Sequence, residues 1–376
     1  MSEIKIYPVK SKSDLKRFIT FAWKIYKGDK NWVPPLIREK LKILDKEKSP
    51  FFDHGAADFF IAYRDNAPVG TIAAIRDDNF INHQKSETGY FGFFESINDT
   101  EVANTLFSTA EKWNIDQGMK EMIGPMNPST NDECGLLVKG FDRPPVVMMT
   151  YNPEYYIKLY ESYGLEKRKD LFAFWARIKD NIPEKIARVA ELMKKRGNIQ
   201  TRGVNLNNFS EELENLKKVY NSAWSENWGF APMTEKELDL LADGMKDLVI
   251  PELIRFAFID GEPVAFIFTL PDYNEVFIRM NGRLSPMGIL KFLWFRKKVK
   301  NVRLILLGIK EGHRRKGIDA ILYYESLKEA EKYGYEFAEF SWVLEENVLV
   351  HRAAEIIGGK VYKTYRIYGK TFDSQK

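Results

Sequence analysis

A chain of 376 residues, 44% hydrophobic and 29% charged, has enough apolar side chains for two ordinary cores and too many to stay disordered. Its formal charge of +4 is small for that length and does not by itself point to nucleic acid. A single cysteine, Cys134, excludes an internal disulfide. No run reaches the roughly 20 apolar residues that span a bilayer, and the opening stretch to Phe18 has no signal-peptide core, so a cytoplasmic setting is expected.

In chain order, Lys5–Val9 reads as a strand and Ser13–Tyr26 as a helix capped by Ser11 or Ser13. Pro34 and Pro35 hold the next stretch extended, and a helix near Leu36–Lys46 ends at Ser49–Pro50. Asp58–Tyr63 and Pro68–Ile75 form a hairpin, and a strand Gly89–Phe94 leads into a helix Asp99–Ile115 closed by Gly118. Residues 124–145, rich in Gly, Pro, Asn and Ser, read as a long surface loop of the kind that carries function. Asn152–Gly164 is expected to be a helix, Lys169–Ile178 a strand, Ile182–Arg196 a charged helix bridging two domains, and Ser210–Ser225 a further helix. The basic segment Lys291–Arg303, with Phe292, Leu293, Trp294 and Phe295 inside it, reads as a solvated helix face with a buried side; contact with an anionic membrane or RNA is the other reading.

Leu304–Ile309 then reads as a buried strand, His313–Gly317 as a basic turn and Ile318–Gly334 as a helix. A strand, a glycine-containing basic turn and a helix start together expose backbone N–H groups and the positive end of a helix dipole to an anion. The second half of the chain also repeats the first. FIAYRDNAPVG, from Phe60, matches FAFIDGEPVAF, from Phe256, with Pro68 and Pro263 separated by 263 − 68 = 195 positions. Asn152 and Asn347, and Gly164 and Gly359, share that offset, which implies a tandem duplication of domain size.

The order of elements in each half resembles the GNAT superfamily of acetyl-CoA-dependent N-acetyltransferases. Arg314-Arg315-Lys316-Gly317-Ile318-Asp319 follows that family's R/Q-x-x-G-x-G/A signature for five positions and departs at Asp319. The later signature, an Asn, a helix with Leu-Tyr and a closing Gly, is matched by Asn152, Leu159, Tyr160 and Gly164, whereas the second copy has Asn347 and Gly359 but Ala354 at the tyrosine. The resemblance implies an α+β, mixed α/β chain of two GNAT-like domains, each a mixed, mostly antiparallel sheet flanked by helices. It places the first at 1–180, degenerate and substrate-shaping, and the second at 181–376, binding acyl-CoA.

On that reading Leu307, Gly308 and Ile309 pair with the pantetheine arm of acetyl-CoA or another acyl-CoA. Arg314, Arg315, Lys316, Gly317, Ile318, Asp319 and Ala320, with Asn347, complete the cofactor site. Tyr160 and Glu345 are the catalytic candidates, a tyrosine to protonate the leaving thiolate and a carboxylate to deprotonate the amine; core packing and helix capping are their structural alternatives. Trp228, Asp272 and Asn281 are candidate substrate contacts. The four scattered histidines and lone cysteine indicate no metal site. The expected activity is direct acyl transfer to the amine of a small molecule or peptide, without nucleic acid or stable membrane insertion. A tandem fold of the same type that uses aminoacyl-tRNA, and a catalytically silent ligand-binding protein, are the alternatives.

Overall fold

The computed structural model describes residues 2–372. β1 (Lys5–Pro8), α1 (Lys12–Thr20), α2 (Ala22–Ile25) and α3 (Ile37–Ile43) precede the hairpin of β2 (Gly55–Arg64) and β3 (Ala67–Asp77). Then come α4 (Asp78–Gln84), β4 (Thr88–Ser96), α5 (Thr100–Asp116) and β5 (Glu121–Gly124). The short strands β6 (Met126–Asn127), β7 (Glu133–Cys134) and β8 (Leu136–Lys139) lead to α6 (Tyr156–Ser162) and β9 (Glu166–Arg177). α7 (Glu184–Arg196), β10 (Gln200–Gly203), α8 (Phe209–Trp224) and α9 (Glu235–Met245) open the second half. β11 (Ile254–Ile259), β12 (Glu262–Pro271), α10 (Asn274–Phe277) and α11 (Pro286–Phe295) follow. The chain ends with β13 (Asn301–Ile309), α12 (Ile318–Lys332), β14 (Phe337–Leu344), α13 (Val348–Ile356) and β15 (Lys360–Thr371).

The chain forms two compact units that are not consecutive halves. Of the described residues, the first takes 2–170, Asn274–Lys297 and 363–372; the second takes Leu171–Tyr273 and Lys298–Tyr362. In the first, strands lie in the order β1-β2-β3-β4-β5-β15, with β8 also on β15; in the second the order is β9-β14-β13-β12-β11-β10. Each sheet is mixed α/β in its setting and mostly antiparallel, with β4–β5 and β13–β14 as the parallel pairs.

The repeat is written into the turns. β2 and β3 are joined by Asp65 and Asn66, both at positive φ, and β11 and β12 by Asp260 and Gly261, also both at positive φ. Two left-handed residues close a tight hairpin whose twist matches its strands, and Asp, Asn and Gly tolerate that conformation. α5 starts at Asp99, whose carboxylate accepts the N–H groups of Glu101 and Val102 at 2.9 and 3.2 Å. It buries Val102, Leu106, Phe107 and Ala110 in the first unit's core. Phe94 stacks on Phe107 there at 4.6 Å, and Tyr160 meets both rings edge-on. The second unit's core gathers Val219, Tyr220, Phe230, Phe256 and Phe266.

Two expectations are corrected. Residues 124–145 are not a surface loop: Met126, Cys134, Leu136 and Leu137 are buried, and β8 pairs with β15 through Leu136–Arg366 and Leu137–Tyr365. The apolar residues hidden among turn-formers supply enough burial to fold the segment inward. Lys291–Arg303 is not one continuous helix either. It comprises the end of α11, a 3-10 turn at Arg296–Lys298 and the start of β13, and Leu290, Leu293 and Trp294 on α11 are exposed. No helix among the described residues is long and apolar enough to cross a membrane.

Candidate active site

β13 and β14 pair in parallel only from Asn301–Phe337 to Leu304–Phe340. Beyond that point β13 continues against β12 alone, through Leu307–Ile267, Gly308–Phe266 and Ile309–Ala265, while β14 pairs with β9. One edge of residues 305–309 is therefore left without a strand partner among the described residues. Gly308 is glycine for a packing reason: a Cβ there would stand 2.5 Å from the Trp224 ring and 3.1 Å from Ala223.

The chain then turns through Gly312, Arg315 and Gly317, all at positive φ. Successive backbone N–H groups in such a turn form an anion-binding concavity. Gly317 is the N-cap of α12, with φ of 73°, and no side chain caps the first-turn N–H groups. A Cβ on Gly317 would also stand 2.5 Å from Met193 Cγ of α7. Arg315 and Lys316 are exposed, and Asp319 is half-buried in the first helical turn. Ile318 is fully buried, so only its main chain is available. Arg314 is engaged elsewhere: its guanidinium donates to the Ala223 carbonyl at 2.9 Å and pairs with Glu226 at 3.6 Å, tying the loop to the end of α8. His313 is held below its ordinary pKa by partial burial, and then by Lys316 and Lys310.

The other second-copy residues lie after β14. Glu345 is half-buried in the turn before Asn347. Asn347 caps α13, its side-chain oxygen accepting the Val350 N–H at 3.4 Å. Ala354, where the tyrosine would fall, is buried beneath Gly359, whose N–H donates to its carbonyl at 2.8 Å. Trp228 is half-buried and Asp272 buried in this same unit. Asn281 belongs to the other unit, where it accepts the Trp23 indole N–H at 2.8 Å.

The first copy has the same parallel junction with a different filling. β4 pairs with β5 only through Tyr90–Ile123, and Phe93 beyond it has φ of 46°. The Phe93 N–H donates to the side-chain oxygen of Asn127 at 2.6 Å. A Cβ on Gly92 would meet the Met126 carbonyl oxygen at 1.7 Å. Here the protein's own β6 occupies the edge that the second copy leaves free. Asn152 clamps β8, accepting the Leu137 N–H at 2.7 Å and donating to its carbonyl at 3.1 Å. Tyr160 lies within the aromatic core at 1% exposure, against Phe91, Phe107 and Tyr368. Burial, followed by Glu95 and Tyr368, pushes its hydroxyl pKa well above the ordinary range, and packing accounts for the residue.

The sequence reading missed Glu95 as a titrating group. Tyr156 donates to its carboxyl at 2.7 Å and Tyr26 approaches it at 3.4 Å, while the Tyr156 hydroxyl accepts the Ser96 N–H at 2.8 Å. Burial pushes the Glu95 carboxyl up to about 8 against the lowering effect of both tyrosines. A glutamate at a strand end is locally unremarkable in sequence; its partners lie 69 positions before it and 61 after it. Among the described residues no group of three His, Cys, Asp or Glu side chains could hold a metal ion.

No family model matches the chain. A tandem GNAT protein from the clavulanic acid biosynthesis pathway aligns over 100% of both chains with a TM-score of 0.60 at 9% identity. A GCN5-related N-acetyltransferase from Sphaerobacter thermophilus covers 98% of this chain and 95% of its own with a TM-score of 0.53 at 10% identity. The fold is a tandem GNAT fold. Among curated proteins, the bacterial ceramide synthase of Caulobacter vibrioides is 37% identical over 98% of each chain. Protein YghO of Escherichia coli is 36% identical over 96% of this chain and 93% of its own. With identity at that level along nearly the whole length, the chain belongs to the family that includes the bacterial ceramide synthase of Caulobacter vibrioides and YghO of Escherichia coli.

Proposed function

We propose that the chain is an N-acyltransferase that moves an acyl group from a CoA thioester to the amine of a long-chain amino alcohol, forming an amide of the ceramide type. The observation that carries it is the asymmetry of the two parallel junctions. Asn127 and Met126 fill the first, whereas the second leaves the edge of residues 305–309 free and leads into the Gly312–Gly317 turn and the uncapped start of α12. On this reading the first copy is the degenerate partner. The free edge of Leu307–Ile309 pairs with the amides of pantetheine. Arg315, Lys316 and the main-chain N–H groups from Gly317 to Ala320 take the pyrophosphate, with Asp319 opposing them. Arg314 and Asn347 act by holding the loop and α13 in place.

The amine lone pair attacks the thioester carbonyl carbon, the C–N bond forms, and the C–S bond breaks to release CoA as a thiolate, which takes up the proton that the amine gives up. The amine must be neutral to attack and must lose a proton, and Glu345 is the carboxylate assigned to accept it. Trp228 and Asp272 are retained as acceptor contacts on this unit. The choice of a long-chain acceptor rests on the 37% identical relative named for ceramide synthesis. Mass spectrometry of reactions pairing acyl-CoAs of graded length with sphinganine, and with short amines, tests both parts. An N-acyl-sphinganine product supports the proposal. Amides from short amines alone would remove the long-chain acceptor, and no amide from any pair would sink the acyltransferase reading.

A further inference from the structure

α11 is apolar where a soluble helix is polar. Met287, Ile289, Leu290, Leu293 and Trp294 are 63%, 48%, 60%, 49% and 70% exposed. Its inner side consists of Gly288, buried where a Cβ would meet the Arg283 carbonyl at 2.6 Å, and of the half-buried Phe292 and Phe295. Phe292 stacks on Phe277 at 5.9 Å, and the Arg279 guanidinium lies over Phe295 at 4.6 Å. The helix is thus seated by Gly288, Phe292 and Phe295, while its aliphatic residues and Trp294 face outward. Ser285 caps it through the Gly288 N–H at 3.1 Å, so the element is a finished helix and not a frayed end.

Along the chain, the charge in and directly after the helix has one sign. The sequence carries no acid between Glu275 and Glu311, while Lys291 lies on the helix and Arg296, Lys297 and Lys298 follow directly. A short helix with exposed Leu, Ile, Met and Trp, followed by a cluster of bases, is complementary to the boundary between the acyl and headgroup layers of an anionic bilayer. Tryptophan in particular is enriched at that depth. At ten residues the helix is about 15 Å long, too short to span and suited to lying in the surface.

We propose that α11 is a membrane-surface anchor, which inserts its apolar face shallowly into an anionic bilayer with the bases from Lys291 to Lys298 against the headgroups. A docking face of this kind places the protein at the surface where lipid substrates reside, yet it is independent of the acyltransferase reading, because its test reads binding and not turnover. The test is co-sedimentation of the full chain with phosphatidylcholine vesicles and with vesicles that also contain phosphatidylglycerol. The wild type is expected to sediment with the anionic vesicles, less so as salt rises, and weakly with phosphatidylcholine alone. Leu290→Ser with Leu293→Ser should lower vesicle affinity about tenfold or more while leaving thermal unfolding unchanged, since both side chains are exposed. Lys297→Gln with Lys298→Gln should weaken binding to the anionic vesicles and lessen its salt dependence, with Lys291 and Arg296 still in place. If the serine pair keeps the fold and binds vesicles like the wild type, the proposal is overturned. It is equally overturned if the wild type ignores anionic vesicles and instead self-associates, or retains RNA, through the same residues.

Discussion

Glu95 is the residue at which folding most changes a proton equilibrium. Its carboxyl ordinarily titrates near 4.5, and in the folded protein at about 8. Between those values the folded state holds one proton more than the unfolded state, so stability falls as pH rises through that window. Glu95→Gln keeps an acceptor for Tyr156 and Tyr26 but removes the charge. The variant is expected to overtake the wild type in thermal or denaturant unfolding as pH rises from 5 to 9, by roughly 2–4 kcal/mol at the upper end. Parallel pH profiles of the two proteins would show that the carboxyl is not perturbed. Tyr160 gives a contrasting case. Because its ring fills the core, Tyr160→Phe should leave the acyl-transfer rate within about twofold, and Tyr160→Ala should cost about 3–5 kcal/mol of stability. A loss of turnover in the phenylalanine variant, with stability retained, would restore the hydroxyl to a role in proton transfer.

At the scale of elements, the turn from Lys310 to Gly317 depends on two coincident demands at one residue. Gly317 sits at positive φ and also lacks the Cβ that would overlap Met193. Gly317→Ala should cost about 1 kcal/mol for the left-handed backbone, plus the overlap, and reduce acyl-CoA affinity at least tenfold in a calorimetric titration. Adding Met193→Ala gives the new methyl room without relaxing the backbone. The double variant should then recover part of the stability while CoA binding stays weak. Unchanged affinity in Gly317→Ala would move the cofactor site away from this turn. In the first copy, the Asn127 side-chain oxygen accepts the Phe93 N–H. That bond makes the first copy's junction a packed structural feature.

At the scale of the molecule, the two units exchange segments. β15 belongs with the first unit, where Thr371–Tyr368 pairs with Glu121–Gly124. There the buried Lys363 ammonium donates to the carbonyls of Gly140 and Arg143 at 2.6 and 2.7 Å. α10 belongs there as well, Asn274 donating to the Pro145 carbonyl at 2.9 Å. A fragment of residues 1–180 lacks both. Expressed alone it is expected to fail to give a cooperative unfolding transition, and co-expression with residues 181–376 should restore a folded complex, read by co-purification and thermal unfolding. A fragment 1–180 that unfolds cooperatively by itself would show that the exchanged segments add nothing essential to the first unit.

The sequence alone determined what local chemistry and periodicity can carry. The first hairpin and the strand–turn–helix around Gly317 were legible because each depends on neighbours a few residues apart, and the tandem repeat because two stretches of like sequence share one offset. The tertiary structure decided which groups those elements leave available. Asn127 reaches Phe93 across 34 positions and closes one junction, and Arg314 reaches Ala223 across 91 and ties the basic turn to the end of α8. Tyr160 is enclosed by rings from β4, α5 and β15, and α11 turns its leucines outward. Whether a polar atom is satisfied, or an apolar face covered, depends on partners that distant parts of the chain bring to it. No local pattern encodes that pairing.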